Sequence, residues 1–153
     1  MSFLGDKVAN KINLMGSEVE EGFKCKPKKL DPNKPIMHFK SHIFVCDDAR
    51  CKKAHKDQDV ANMLRDILKE IDLHKGKNRI KISRSGCFGA CRFRGVVNIY
   101  ENTKNGGCLQ NNNIWLKHTH LYSKEDWIEL FEALRDNREL DSTKFEQIEM
   151  AYY

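Results

Sequence analysis

The sequence predicts an α/β domain built on a mixed four-stranded sheet, and three observations carry that prediction. Short apolar runs around residues 43–45, 80–82, 96–100 and 114–116 have the length and composition of strands. A strongly amphipathic helical pattern lies between the first two runs, which makes them a parallel pair joined by a crossover. The last two are joined by one polar loop with no helical period, which makes them an antiparallel hairpin.

The elements follow in order. Residues 1–40 read as an appendage to the domain. Phe3, Leu4, Val8, Ile12 and Met15 recur at helical spacing and predict a short amphipathic helix over residues 2–15. Beyond Gly16 the chain turns polar. Lys24, Lys26, Pro27, Lys28, Lys29, Pro32, Lys34 and Pro35 predict an extended basic linker. The domain proper occupies 41–139, and 140–153 is a tail with a short helix expected through Phe145 and Ile148.

His42-Ile43-Phe44-Val45 is the first strand and runs directly into Cys46, and a loop is expected to carry Cys51. Val60, Met63, Leu64, Ile67, Leu68 and Ile71 line one face of a helix. Asp57 and Asp59 suit its first turn, and Gly76 lies beyond its end. Ile80 and Ile82 alternate with basic residues in the second strand, and the segment Cys87 to Cys91 follows as a tight loop. Val96 to Tyr100 and Ile114 to Leu116 are the third and fourth strands, separated by the polar loop 102–113. Ser123 starts the last helix as its N-cap, with Asp126 at the third helical position and Tyr122 and Trp127 at the two positions of a hydrophobic staple. The order strand, helix, strand, strand, strand, helix is the thioredoxin-like layout, with helices flanking the sheet.

The chain has 153 residues, 27 basic against 22 acidic, for a net charge of +5. No apolar run is long enough to cross a bilayer, and the N-terminus lacks the basic and apolar regions of a secretory signal. These features place the protein in the cytoplasm, away from membranes. Six cysteines in a reducing compartment point to metal or redox chemistry rather than to structural disulfides.

Four of the cysteines form two pairs. Cys46 and Cys51 enclose four residues, Cys87 and Cys91 enclose three, and thirty-five residues separate the pairs. Each pair therefore follows a strand directly. If the two strands are parallel neighbours, both pairs emerge at one edge of the sheet and four thiolates can converge, as an iron–sulfur cluster requires. Gly86 and Gly89 bracket Cys87 and let the backbone aim amides at sulfur. Phe88 and Phe93 are placed to screen the site from water. A structural zinc module that organises a protein-binding surface is the alternative for four cysteines, though zinc pairs are usually closer.

The run Ile43-Phe44-Val45-Cys46, the pair Cys46/Cys51 and the segment Ser85-Gly86-Cys87-Phe88-Gly89-Ala90-Cys91 resemble the thioredoxin-like 2Fe–2S ferredoxin family. The same spacing is similar to that of the small peripheral iron–sulfur subunit of respiratory NADH dehydrogenases. Val96 to Tyr100 and Trp115 fit the hairpin of that family, so the resemblance covers residues 41–135. It implies the fold, one 2Fe–2S cluster per chain on Cys46, Cys51, Cys87 and Cys91, one-electron exchange with a redox protein, and a homodimer. The chain departs from the family in lacking a proline after Cys91, in its longer hairpin loop, and in having a shorter N-terminal region than the respiratory subunit.

Other residues read as bystanders. Cys108, at the hairpin tip about 17 Å along the strand from the cysteine edge, and Cys25, in the linker, are expected to be surface thiols. His55 is the histidine best placed to support the site from behind Cys51. Arg50, Lys52 and Lys53 flank one pair and Arg84, Arg92 and Arg94 the other, a basic rim suited to an acidic partner. Nucleic-acid binding is not expected, because the basic residues lack interleaved aromatics. No triad, phosphate loop or Cys-x-x-Cys pair is present, which points to a carrier rather than an enzyme.

Overall fold

A computed structural model of the chain describes residues 11–153, which divide after Met37 into two units. In the first, Ile12 pairs with Glu18 and Val19 with Pro27 in isolated antiparallel bridges. The expected linker is therefore folded back on itself. Val19 is buried, and ion pairs Lys28–Glu18 at 2.7 Å and Lys26–Glu20 at 3.3 Å bracket it. The expected N-terminal helix lies mostly outside the described residues. Its remainder, 11–15, is bridge and turn, because the Asn13 side chain accepts from the amides of Met15 and Ser17, both at 2.9 Å. Such local bonds compete with a helix.

The second unit, His38–Tyr153, carries the sheet. Strands β1 (Ser41–Val45), β2 (Ile80–Arg84), β3 (Val97–Glu101) and β4 (Ile114–Leu116) lie in the order β2-β1-β3-β4. β1 and β2 are parallel, with Ser41 opposite Ile80 and Val45 opposite Arg84. β3 runs antiparallel to both β1 and β4. This is the mixed, thioredoxin-like arrangement expected from the element order.

Alternation along the strands divides the sheet into two faces. Ile43, Val45, Ile80, Ile82, Val97, Ile99, Ile114 and Leu116 point into the core. They meet Val60, Leu64, Ile67 and Leu68 of helix α2 (Val60–Glu70) and Trp127, Leu130, Phe131 and Leu134 of helix α3 (Lys124–Arg135). The other face presents His42, Phe44, Lys81, Ser83, Tyr100 and Trp115, none of them buried.

Local signals place the helices. Asp59 caps α2 by accepting from the Asn62 amide at 3.2 Å. Ser123 caps α3 through a reciprocal box, accepting from the Asp126 amide at 3.1 Å while Asp126 accepts from the Ser123 amide at 2.9 Å. Tyr122 and Trp127 staple the entry with ring centroids 5.0 Å apart.

Two expectations give way. The segment around Cys51 is a six-residue helix, α1 (Ala49–Ala54), not a loop. The tail forms no helix among its described residues. Instead the Ile148 amide donates to the Trp115 carbonyl at 2.7 Å and the Lys117 amide to the Glu146 carbonyl at 3.1 Å, while Phe145 is buried. The open edge of β4 offers unpaired backbone groups, and pairing with them outweighs a marginal helix.

Two measurements check this account. Ser123→Ala removes the cap and lowers stability by about 1 kcal/mol in urea unfolding. His42 stacks on Phe44 with centroids 4.0 Å apart and bonds to the Ser83 hydroxyl at 2.8 Å. Burial, then Lys81 and Arg79, push its pKa down from 6.5 to about 4. Between these two values the unfolded chain takes up a proton that the native state refuses. This contribution to stability is therefore complete above pH 6.5 and is lost as the pH falls towards about 4. The urea midpoint of His42→Gln varies less with pH across that window.

Candidate metal centre

Parallel pairing of β1 and β2 sends both strand ends to one edge, and each leads into a cysteine segment. Cys46 follows Val45 at once, and the ladder extends one step further as the Ser85 amide donates to the Val45 carbonyl at 2.9 Å. The Gly86 amide then donates to the Asp47 carboxylate at 3.1 Å, tying the second loop to the first. Cys51 is presented from inside α1, as its one buried residue.

The sulfurs come in two pairs. Cys46 and Cys51 are both buried, and the Cys51 thiol lies near enough to Cys46 to act on its pKa. Burial, and then the Cys51 thiol, push the Cys46 pKa up to about 12, against the opposing pull of the Asp48 and Phe88 amides. Cys87 and Cys91 have their sulfurs 3.5 Å apart, and the Gly89 amide donates to Cys87 Sγ at 3.2 Å. Cys87 is exposed and Cys91 partly so. The Cys91 thiol is raised, first by its bond to Cys87 and then by desolvation, with Arg50 acting in the opposite sense.

Two links join the pairs. The Phe88 amide, from the second loop, lies near enough to Cys46 of the first to pull its pKa down. Cys51 is also close enough to Cys91 to raise its pKa. Among the described residues, no three or more Cys, His, Asp or Glu side chains gather around a point where a single ion could sit. The grouping is two and two.

The neighbouring residues divide between expectation and correction. The Phe88 ring meets the Trp115 ring edge-on at 4.9 Å, and Phe93 is contacted by the Arg92 guanidinium at 4.7 Å and by Lys117 at 5.6 Å. Cys87 stays exposed beside them, so the screen is incomplete. His55 lies behind Cys51, its amide donating to the Cys51 carbonyl at 3.1 Å and its ring edge-on to His120 at 6.2 Å. Arg84 is not a free cation, since it holds Asp59 at 2.7 Å and approaches Asp47 at 3.9 Å.

Cys25 is exposed, as expected, but Cys108 is buried. Its amide donates to the Glu101 carboxylate at 3.4 Å and its sulfur lies 3.8 Å from the Asn137 carbonyl, at the end of the sheet away from the four cysteines. The expanded loop folds inward there through Asn111, which bonds the backbone of Arg138 at 2.8 Å and of Leu140 at 3.0 Å.

One supporting contact escaped the sequence reading. Gly95 follows the second pair with φ +68°, and its carbonyl accepts from the Thr119 amide at 2.9 Å and from the Thr119 hydroxyl. A Cβ there would stand 2.6 Å from the His120 amide nitrogen. The glycine before Val96 was the available signal.

No protein-family model matches the sequence, and no curated protein matches it. Among solved structures, the chain is similar to the thioredoxin-like [2Fe-2S] ferredoxin from Aquifex aeolicus, with a TM-score of 0.34 and 16% identity over 65% of this chain and 89% of that one. A likeness at that level leaves the site to be argued from this chain's own residues.

Two glycines test the loop geometry. Gly89 has φ +74° with open space around a would-be Cβ, so Gly89→Ala costs only the left-handed backbone, about 1 kcal/mol. Gly95→Ala adds the clash with His120 and costs about 3 kcal/mol. Equal losses on chemical unfolding would contradict the packing of Gly95 against residues 119–120.

Proposed function

We propose that the protein is a one-electron carrier that holds a single 2Fe–2S cluster on Cys46, Cys51, Cys87 and Cys91. The observation that carries this reading is the placement of two cysteine pairs at one sheet edge, where parallel β1 and β2 end and the Gly86 amide of the second segment donates to the Asp47 carboxylate of the first at 3.1 Å. The donor set suits the group. A two-iron cluster takes two thiolates at each iron, whereas a structural zinc takes four donors around one ion. When bound, such a cluster supplies reversible one-electron chemistry.

The chain's own residues divide the remaining work. The four cysteines are the ligands and must lose their protons on binding, which for Cys46 opposes a raised pKa. The Gly89 amide donates to Cys87 Sγ, and the Asp48 and Phe88 amides pull the Cys46 pKa down; both effects favour negative charge on sulfur and so raise the potential. The first pair is buried, whereas Cys87 of the second is exposed and Cys91 partly so. The reading is of a carrier that serves a redox protein partner, not of an enzyme. A homodimer in the cytoplasm is the proposed setting, and sedimentation measures the oligomeric state.

Anaerobically purified protein is expected to be red-brown, with two irons and two acid-labile sulfides per chain. Serine at any of the four positions abolishes or strongly alters the visible spectrum, whereas Cys25→Ser and Cys108→Ser leave it unchanged. Colourless protein with one zinc per chain would overturn the proposal in favour of a structural module.

A further inference from the structure

The ground beside the two cysteine pairs differs in charge. Near the first pair the cations Lys52, Lys53, Lys56 and Arg84 share the surface with Asp47, Asp48, Asp57 and Asp59, and Arg84 is held by two of those carboxylates. Beside the second pair stand Arg92 and Arg94, both exposed, and Arg50 is exposed on α1 next to Cys51. No carboxylate lies within ion-pair distance of any of these three arginines among the described residues. Their neighbours are aromatic. Arg92 lies over Phe93, and Phe88 meets the half-buried Trp115. The exposed sulfur of Cys87 thus opens onto a surface with an aromatic centre and an unbalanced cationic rim.

We propose that this surface, formed by Phe88, Phe93, Trp115 and the rim of Arg50, Arg92 and Arg94, is where an acidic one-electron carrier protein docks and where electrons enter and leave. The inference rests on the proposed cluster and adds its polarity: the Cys87–Cys91 side is the electrical contact and the Cys46–Cys51 side is the anchor. Charge complementarity selects the partner, because an uncompensated cationic rim steers an acidic surface and repels a basic one. The buried first pair lets no partner approach closely, whereas the exposed second pair does.

Ferric-EDTA, an anion, and hexaammineruthenium(III), a cation, serve as probes. Each takes one electron from the reduced protein, becoming ferrous-EDTA or hexaammineruthenium(II), with no proton or bond exchanged. At 10 mM salt, R92E/R94E should slow oxidation by ferric-EDTA about tenfold and speed oxidation by the ruthenium cation, since steering changes encounter rates by about 10 to 1,000-fold. Both effects should vanish near 1 M salt, where the screening length is about 3 Å. The control K52E/K53E should change either rate less than about twofold, because that surface is already mixed in charge. Equal effects of the two double variants would overturn the proposal.

A second readout does not depend on a cluster. The chain has two tryptophans, and Trp127 is 1% exposed, so ionic quenching of fluorescence reports Trp115. Iodide should quench more than caesium in the parent protein, and R92E/R94E should invert that preference. A colourless protein with iodide-selective quenching sinks the cluster while leaving the cationic rim standing. A coloured protein indifferent to probe charge sinks the docking surface alone.

Discussion

The parallel pairing of β1 with β2 is the constraint on which the rest depends. A strand continues in its own direction, so two parallel neighbours deliver their following residues to the same edge. Had the crossover been a hairpin, Cys46 and Cys87 would leave the sheet at opposite ends. The core face enforces the register: Ile43 lies opposite Ile82, both buried, and a one-residue slip would turn Ile80 and Ile82 outward. Burial of apolar side chains far from the site thus decides at which edge the two cysteine segments leave the sheet.

Around that edge the loops are held by polar contacts that act across the chain. Asp47 accepts from Gly86, and Gly95 accepts from Thr119. These bonds link the first cysteine segment to the second, and the second to the turn before α3. The glycines supply backbone conformations that other residues adopt only at a cost, and at Gly95 they also supply room. What results is a graded site, with one pair of sulfurs under protein and the other at the surface.

Much of this was legible in the sequence, because alternation and helical period report directly which face of an element is buried. The four strands, α2, the capped start of α3 and the placement of the cysteine pairs after strands all follow from such local patterns. What was not legible depends on residues distant in the chain. Residues 74–94 hold no acid, yet Arg84 is neutralised by Asp59 and Asp47. Strand length located Cys108 at the far end of β3 but could not show that Asn111 draws its loop against the end of α3. Phe145 and Ile148 have helical spacing, but the free edge of β4 competes for their backbone. α1 escaped because six residues with one buried side chain leave no period to read.

The central claim is that the four cysteines hold two metals as a bridged pair, not one metal in a four-sulfur cage. X-ray absorption at the iron edge of anaerobically purified protein tests it most directly. The account predicts a shell of about four sulfurs around each iron, two from cysteine and two from sulfide, and a second iron just beyond them. A full sulfur shell with no neighbouring metal, or the same shell found at the zinc edge, would contradict it.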